Sequence, residues 1–252
     1  MITKEIADFL EKEVHERNCV HELSLDRPDP LMVASCYKDE LIALICALFA
    51  YGNARAIVRF LQSLDFSLLD TDEETILHSL NKHYYRFQVT QDVQALFISL
   101  HRIKKEAISL ETIFVDGYSQ QCNVMDGIRK VLELLYDIND YRSQGYQFLL
   151  GTLPSSKPKS PYKRWHMYLR WMVRHDALDL GLWQSRVHPK DLLIPLDTHT
   201  FTLGKKLGLI QRKSYDFQAV LELTQALRTL DPLDPIKYDF ALYRLGQEKL
   251  LP

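Results

Sequence analysis

Two residues far apart in the chain have the side chains needed for covalent chemistry at an electrophilic carbon. Lys163, in SPYKRWHMYLRWMVR, can form an imine, and Asp197, in LLIPLDTH, can steady a developing positive charge. A lysine near its reference pKa of about 10.4 is a poor nucleophile at neutral pH, so imine chemistry needs surroundings that favour the free amine. With Ser160 as a cap and Pro161 at the first helical position, Lys163 falls near the third position of a new helix. There the helix dipole and neighbouring cations both oppose its charge. The plainer role for Lys163 is contact with phosphate or solvent. Asp197 follows the apolar run Leu192–Leu196, which predicts a partly desolvated carboxylate. Its plainer role, the N-cap of THTFTLGKKLG, is compatible with a chemical one.

The elements around these residues read as helices. Apolar residues recur at helical spacing over 39–64 (interrupted at Tyr51-Gly52-Asn53) and over about 72–82, 91–108, 125–138, 141–151, 160–175, 199–207, 215–230 and 235–250. Alternating runs bounded by turn residues are lacking, so the predicted class is all-α. Hydrophobic residues at 46% and charged residues at 25% are globular values. The longest apolar stretch, Leu41 to Tyr51, is too short to span a bilayer, and the N-terminal segment is an acidic amphipathic helix rather than a signal peptide. The four cysteines are scattered and form no metal-ligand spacing. The expectation is a soluble cytoplasmic protein without cofactor or metal.

A net charge of −2 argues against nucleic acid unless the charge is local. It is local. Residues 151–175 hold Lys157, Lys159, Lys163, Arg164, Arg170 and Arg174 with no acid, whereas residues 1–30 hold eight acids against four bases. The segment PSSKPKS joins two helical patterns, so 141–175 reads as helix–hairpin–helix with lysines at its tip, an arrangement suited to phosphate. A solvated cationic face is the plainer reading of the same charges.

The order of basic hairpin, lysine in SPYKRWHMYLRWMVR and aspartate in IPLDTH resembles the helix–hairpin–helix DNA glycosylase superfamily. The long gap from Lys163 to Asp197, the RWMVRHDALDLGLW segment and the closing KYDFALYRLG look most like archaeal-type 8-oxoguanine glycosylases and their bacterial relatives. The resemblance covers about 140–250. It implies two helical lobes with a cleft between them, approximately 55–195 (including the hairpin 141–175) and 1–54 plus 196–252, forming one glycosylase-like unit. It also implies a Schiff-base role for Lys163 and an essential carboxylate at Asp197. A base pocket would involve Asp239, Tyr243 and Met167. DNA contacts would come from Lys157, Lys159, Ser160, Arg164 and His199, and an intercalating position would fall at Tyr51 and Asn53. The implied protein is a bifunctional glycosylase and AP lyase that excises an oxidised purine, 8-oxoguanine, as a monomer on double-stranded DNA, away from membranes. Three features depart from the family pattern. The hairpin lacks the usual glycines, the wedge site holds Tyr51 and Asn53, and no iron–sulfur cysteine set follows Asp197.

Three other functions fit part of the pattern. A monofunctional alkylpurine glycosylase uses the aspartate but normally lacks the lysine. A non-catalytic helix–hairpin–helix module has no use for an apolar-flanked Asp197. An all-α protein–protein adaptor would show no salt-dependent DNA affinity.

Overall fold

The structure is a computed structural model that describes residues 2–183 and 186–248. It is all-helical. From the N-terminus come α1 (Lys4–Arg17), α2 (Leu31–Tyr37), α3 (Glu40–Leu48), α4 (Ala54–Ser63), α5 (Glu73–Ser79), α6 (Thr90–Lys105), α7 (Leu110–Tyr118), α8 (Val124–Asp137) and α9 (Gln144–Leu150). After the basic segment follow α10 (Lys163–Val173), α11 (Thr198–Lys206), α12 (Phe217–Arg228) and α13 (Asp239–Glu248). β pairing among the described residues is limited to two isolated bridges, Tyr85–Gln88 and His175–Leu180. No helix among them is long and apolar enough to cross a membrane.

Short polar side chains set most helix starts. Asp39, Asn53, Asp72, Ser109, Asn123, Ser143, Asp197 and Asp216 each accept a hydrogen bond from a first-turn amide, which satisfies donors the helix itself cannot. Two helices, α2 and α7, fall outside the segments expected from the sequence. At α7 the capping is partly tertiary: the Glu40 carboxylate accepts from Leu110 N at 2.9 Å and Glu111 N at 3.3 Å. The last expected helix, 235–250, begins as a 3-10 turn at Pro235–Tyr238, and residues 249–250 lie outside the described residues.

The chain divides into two compact units. The terminal unit comprises Met1–Ser24 and Ser156–Pro252, and the middle unit Leu25–Ser155. The divisions differ from the expected 54/55 and 195/196, for reasons of local packing. In the middle unit α2 packs on α3 and α4, which keeps residues 25–54 with the helices that follow them. Every residue from Leu41 to Ala50 is buried, so the LIALICALFA run forms the middle of that unit's core. In the terminal unit α1 packs on α13, and α11 also lies against α13. Residues 156–195 stay with it in part because Arg170 of α10 pairs with Asp239 of α13 and Arg174, just past α10, pairs with Asp234.

Candidate active site

The expected site residues of the C-terminal half all lie in the terminal unit, with Lys163, Asp197 and Asp239 at the starts of three of its helices. α10 begins at Lys163 itself, not two residues earlier. Tyr162 takes the position before the helix in the left-handed region (φ 46°, ψ 33°), and no side chain caps the helix. Ser160 is therefore not the N-cap; its hydroxyl accepts from Tyr162 N at 3.4 Å, outside the helix. The extended backbone preferred before Pro161 and the turn at Tyr162 delay the first helical residue. Lys163 is half-buried as a result of standing at the helix tip.

Asp197 is the N-cap of α11. Its Oδ1 accepts from Thr200 N at 2.7 Å, while Oδ2 has no hydrogen-bond partner among the described residues. Beneath it the Tyr215 hydroxyl donates to Leu196 O at 2.7 Å, which fixes the backbone just before the carboxylate. Burial, with the Asp197 charge adding to it, pushes the Tyr215 hydroxyl up to about 12, so it remains a donor at neutral pH. The start of α12 completes the group of helix tips: Phe217 N donates to Lys159 O at 3.0 Å, which anchors the basic loop.

Asp239, the first residue of α13, is buried and accepts from Arg170 Nη1. Burial pushes its carboxyl up to about 6, against the pull of Arg170. The charges of Asp197 and Lys163 both act on Asp239 as well, one raising its pKa and the other lowering it. Lys163, Asp197 and Asp239 therefore share one electrostatic neighbourhood, although they come from three helices.

The neighbours expected around them are distributed as follows. Met167 is buried on α10. Tyr243 is half-buried one turn after Asp239, and its hydroxyl accepts from Gln247 Nε2 at 2.7 Å. His199 is exposed, with its Cβ and backbone close against Gly246 of α13. Lys157, Lys159 and Ser160 are exposed and Arg164 is half-buried. Tyr51 and Asn53 belong to the middle unit. The Tyr51 hydroxyl donates to Tyr85 O at 3.3 Å and its own carbonyl accepts from Tyr85 Oη at 2.8 Å, while Asn53 caps α4.

Two of the six charges assigned to the basic patch are not surface charges. Arg170 is 4% exposed and bridges Asp179, at 3.1 Å, and Asp239. Arg174, one turn later, pairs with Asp176 at 2.9 Å, Asp234 at 3.0 Å and Asp179. Four carboxylates thus neutralise two arginines inside the terminal unit. The patch reduces to Lys157, Lys159, Lys163 and Arg164.

Residues 29–248 match the model of a family described as proteins of unknown function, DUF2400. The chain belongs to the DUF2400 family. The match takes in α2 through α13, so Lys163, Asp197 and Asp239 all lie within the matched residues. No curated protein and no solved structure matches it.

Proposed function

We propose that this DUF2400 protein is a lysine-dependent DNA glycosylase with AP lyase activity, acting on an oxidised purine such as 8-oxoguanine. The observation that carries the reading is that Lys163, Asp197 and Asp239 stand at the starts of three helices of one compact unit, where the charges of Lys163 and Asp197 both act on Asp239. A half-buried amine at the start of α10 and a carboxylate at the start of α11 that keeps one oxygen unengaged supply the two groups that imine formation at a sugar carbon requires.

In this reading the damaged nucleotide leaves the duplex and its sugar meets Lys163. The free amine attacks the anomeric carbon, the C–N bond to the base breaks, and the base departs with the bonding electron pair and takes up a proton. Asp197 faces the positive charge that develops on the sugar. Ring opening gives the protonated imine, and loss of a proton from the neighbouring carbon expels the 3′ phosphate and nicks the strand. The loop carrying Lys157, Lys159 and Ser160 serves as the hairpin that meets the phosphate backbone. Asp239, whose Oδ1 has no hydrogen-bond partner among the described residues, accepts the N7 hydrogen that an oxidised guanine has and guanine lacks.

Borohydride trapping tests the proposal. The wild-type protein should form a covalent adduct with duplex carrying 8-oxoguanine, and Lys163→Gln should abolish it while changing duplex affinity only a few-fold. An adduct that persists in Lys163→Gln and disappears in Lys157→Gln or Lys159→Gln would move the nucleophile to the loop. Absence of any adduct or base release across a panel of single-lesion duplexes would end the enzyme reading.

A further inference from the structure

The middle unit carries an exposed patch that Lys163 and Asp197 do not use. At residues 84–89 the chain makes a tight turn: Tyr85 N donates to Gln88 O at 3.1 Å and Gln88 N to Tyr85 O at 2.9 Å, leaving Arg86 and Phe87 at the tip. Tyr85 points inward and packs on Phe49, Phe60 and Tyr51, with ring centres 5.8, 4.8 and 5.3 Å away. Its neighbours point outward. Tyr84 is 71% exposed, Phe87 61% and Phe148 43%. Phe148, from α9, stands edge-on to Phe87 at 5.3 Å and to Tyr51 at 5.1 Å. Tyr51 lies nearly parallel to Phe87, at 6°.

A soluble surface does not normally gather this many rings in one place, so the patch calls for an occupant. The cations around it indicate its chemistry. The Arg86 guanidinium lies 5.4 Å from the Phe87 ring centre and 5.7 Å from that of Tyr51. It is seated there by Gly52, where any Cβ would come within 2.1 Å of Arg86 Nη1. Arg55 and Arg59 are exposed on α4, the helix along which the 83–88 segment packs, and Lys82 precedes the turn. None of these four cations has an acidic partner among the described residues. The acid nearest the turn in sequence, Asp92, is buried and engaged by Val89 N, Tyr141 Oη and Ser143 Oγ. Exposed rings to stack on, interleaved with uncompensated cations, suit a strand that offers flat bases and a phosphate backbone together.

We infer that the Tyr84–Phe87 turn, with Phe148, is a stacking platform for unpaired bases of single-stranded DNA. The choice of DNA rests on the function proposed above; the stacking surface itself belongs to the middle unit alone. Phe87 is the ring most available to a base, Phe148 supports it, and Arg86, Arg55 and Arg59 face the phosphates.

The experiment uses the full chain and a labelled dT20 strand, with affinity measured across a salt series. Phe87→Ala should weaken binding about tenfold. Arg86→Ala should weaken it a few-fold and lower the salt slope by about 0.7. Phe87→Trp should retain binding, and its tryptophan emission should be quenched when dT20 is added. Leu233→Ala, which removes an exposed apolar side chain of the terminal unit, should bind as wild type does. The inference is overturned if wild type fails to bind dT20 at about 50 mM salt, a Debye length near 14 Å, or if folded Phe87→Ala binds it normally. It is also overturned if sedimentation shows a dimer that Phe87→Ala converts to monomer, because the occupant would then be a second copy of the chain. Lys163→Gln separates the two proposals: it should lose the trapped adduct and keep dT20 binding. Absence of base release in a wild type that binds dT20 through Phe87 would refute the enzyme and leave the platform standing.

Discussion

His166 lies one turn into α10, three residues after Lys163. It is 1% exposed, and neither ring nitrogen has a hydrogen-bond partner among the described residues. Its ring lies against Phe217 at 6.3 Å. Burial pushes the imidazole down to about 3, so the folded protein holds it neutral. The unfolded chain binds a proton near pH 6.5 and the folded chain does not, so this contribution to stability is present above pH 6.5 and is lost as pH falls towards 3. Between pH 7 and pH 5 wild type should lose about 2 kcal/mol more than His166→Leu, read from urea midpoints at the two pH values. Parallel acid limbs for the two proteins would show that His166 is not held neutral. At Asp197 the cap and the proposed chemistry separate cleanly. Asparagine caps about as well as aspartate, so Asp197→Asn should leave stability within about 0.5 kcal/mol. The same change should slow base release at least about 100-fold, roughly 3 kcal/mol in the barrier. Normal turnover in the folded variant would leave Asp197 a cap and nothing more.

Helices meet closely at Gly117, Gly127, Gly145 and Gly246, and the contacts at Gly246 and Gly117 differ in what lies beyond them. On α13 a Cβ at Gly246 would come within 2.9 Å of His199 Cβ and 3.1 Å of the His199 carbonyl group. On α7 a Cβ at Gly117 would come within 2.5 Å of Asp126 O at the start of α8. Alanine gains up to about 1 kcal/mol in a helix interior, but backbone atoms cannot swing aside, and overpacking costs about 1–3 kcal/mol. Both Gly246→Ala and Gly117→Ala should therefore lower the melting temperature. Only Gly246→Ala should also slow base release, because α11 and α13 begin at Asp197 and Asp239. Equal loss of activity in both variants would trace the effect to stability alone. At this scale much was legible in the sequence. The cap at Asp197 and the long apolar periods located most helices, and Lys163 and Asp197 were chosen from their types. The start of α10 was misread because Ser160-Pro161 is a strong helix-start signal, and the left-handed Tyr162 that overrides it has no sequence signature. Arg170 and Arg174 were misread because two of their partners, Asp239 and Asp234, lie 69 and 60 residues away, where charge counting along the chain cannot see them.

For the whole molecule the withdrawal of those two arginines changes what electrostatics can deliver. With Lys157, Lys159, Lys163 and Arg164 as the remaining cations of the loop, log affinity for duplex DNA should fall against log salt with a slope no steeper than about −4 from this segment. Lys157→Ala and Lys159→Ala should each flatten it by about 1, as measured by titration at several salt concentrations. Asp239→Ala should act differently. It leaves Arg170 buried with one carboxylate fewer, and breaking a buried pair costs about 3–5 kcal/mol. The variant should lose much of its stability while the salt slope stays unchanged. A slope that shifts with Asp239→Ala would return Arg170 to the DNA-facing surface.

The terminal unit is made from segments on both sides of the middle unit, and this sets a timetable for its manufacture. α1 leaves the ribosome long before its partners: Arg17 pairs with Glu248 at 2.7 Å, across 231 positions, and Glu11 accepts from Tyr238. At 5–20 residues per second the interval is roughly 10–50 s. Throughout it the apolar face of α1 around Leu10, fully enclosed in the finished protein, has no surface to rest on. Residues 25–155 suffer no such delay, because all the contacts within their unit are available once Ser155 has emerged. A nascent chain stalled near residue 200 should therefore show the middle unit resistant to protease and α1 still open to it. The waiting helix is the part of the newborn protein most exposed to chaperones.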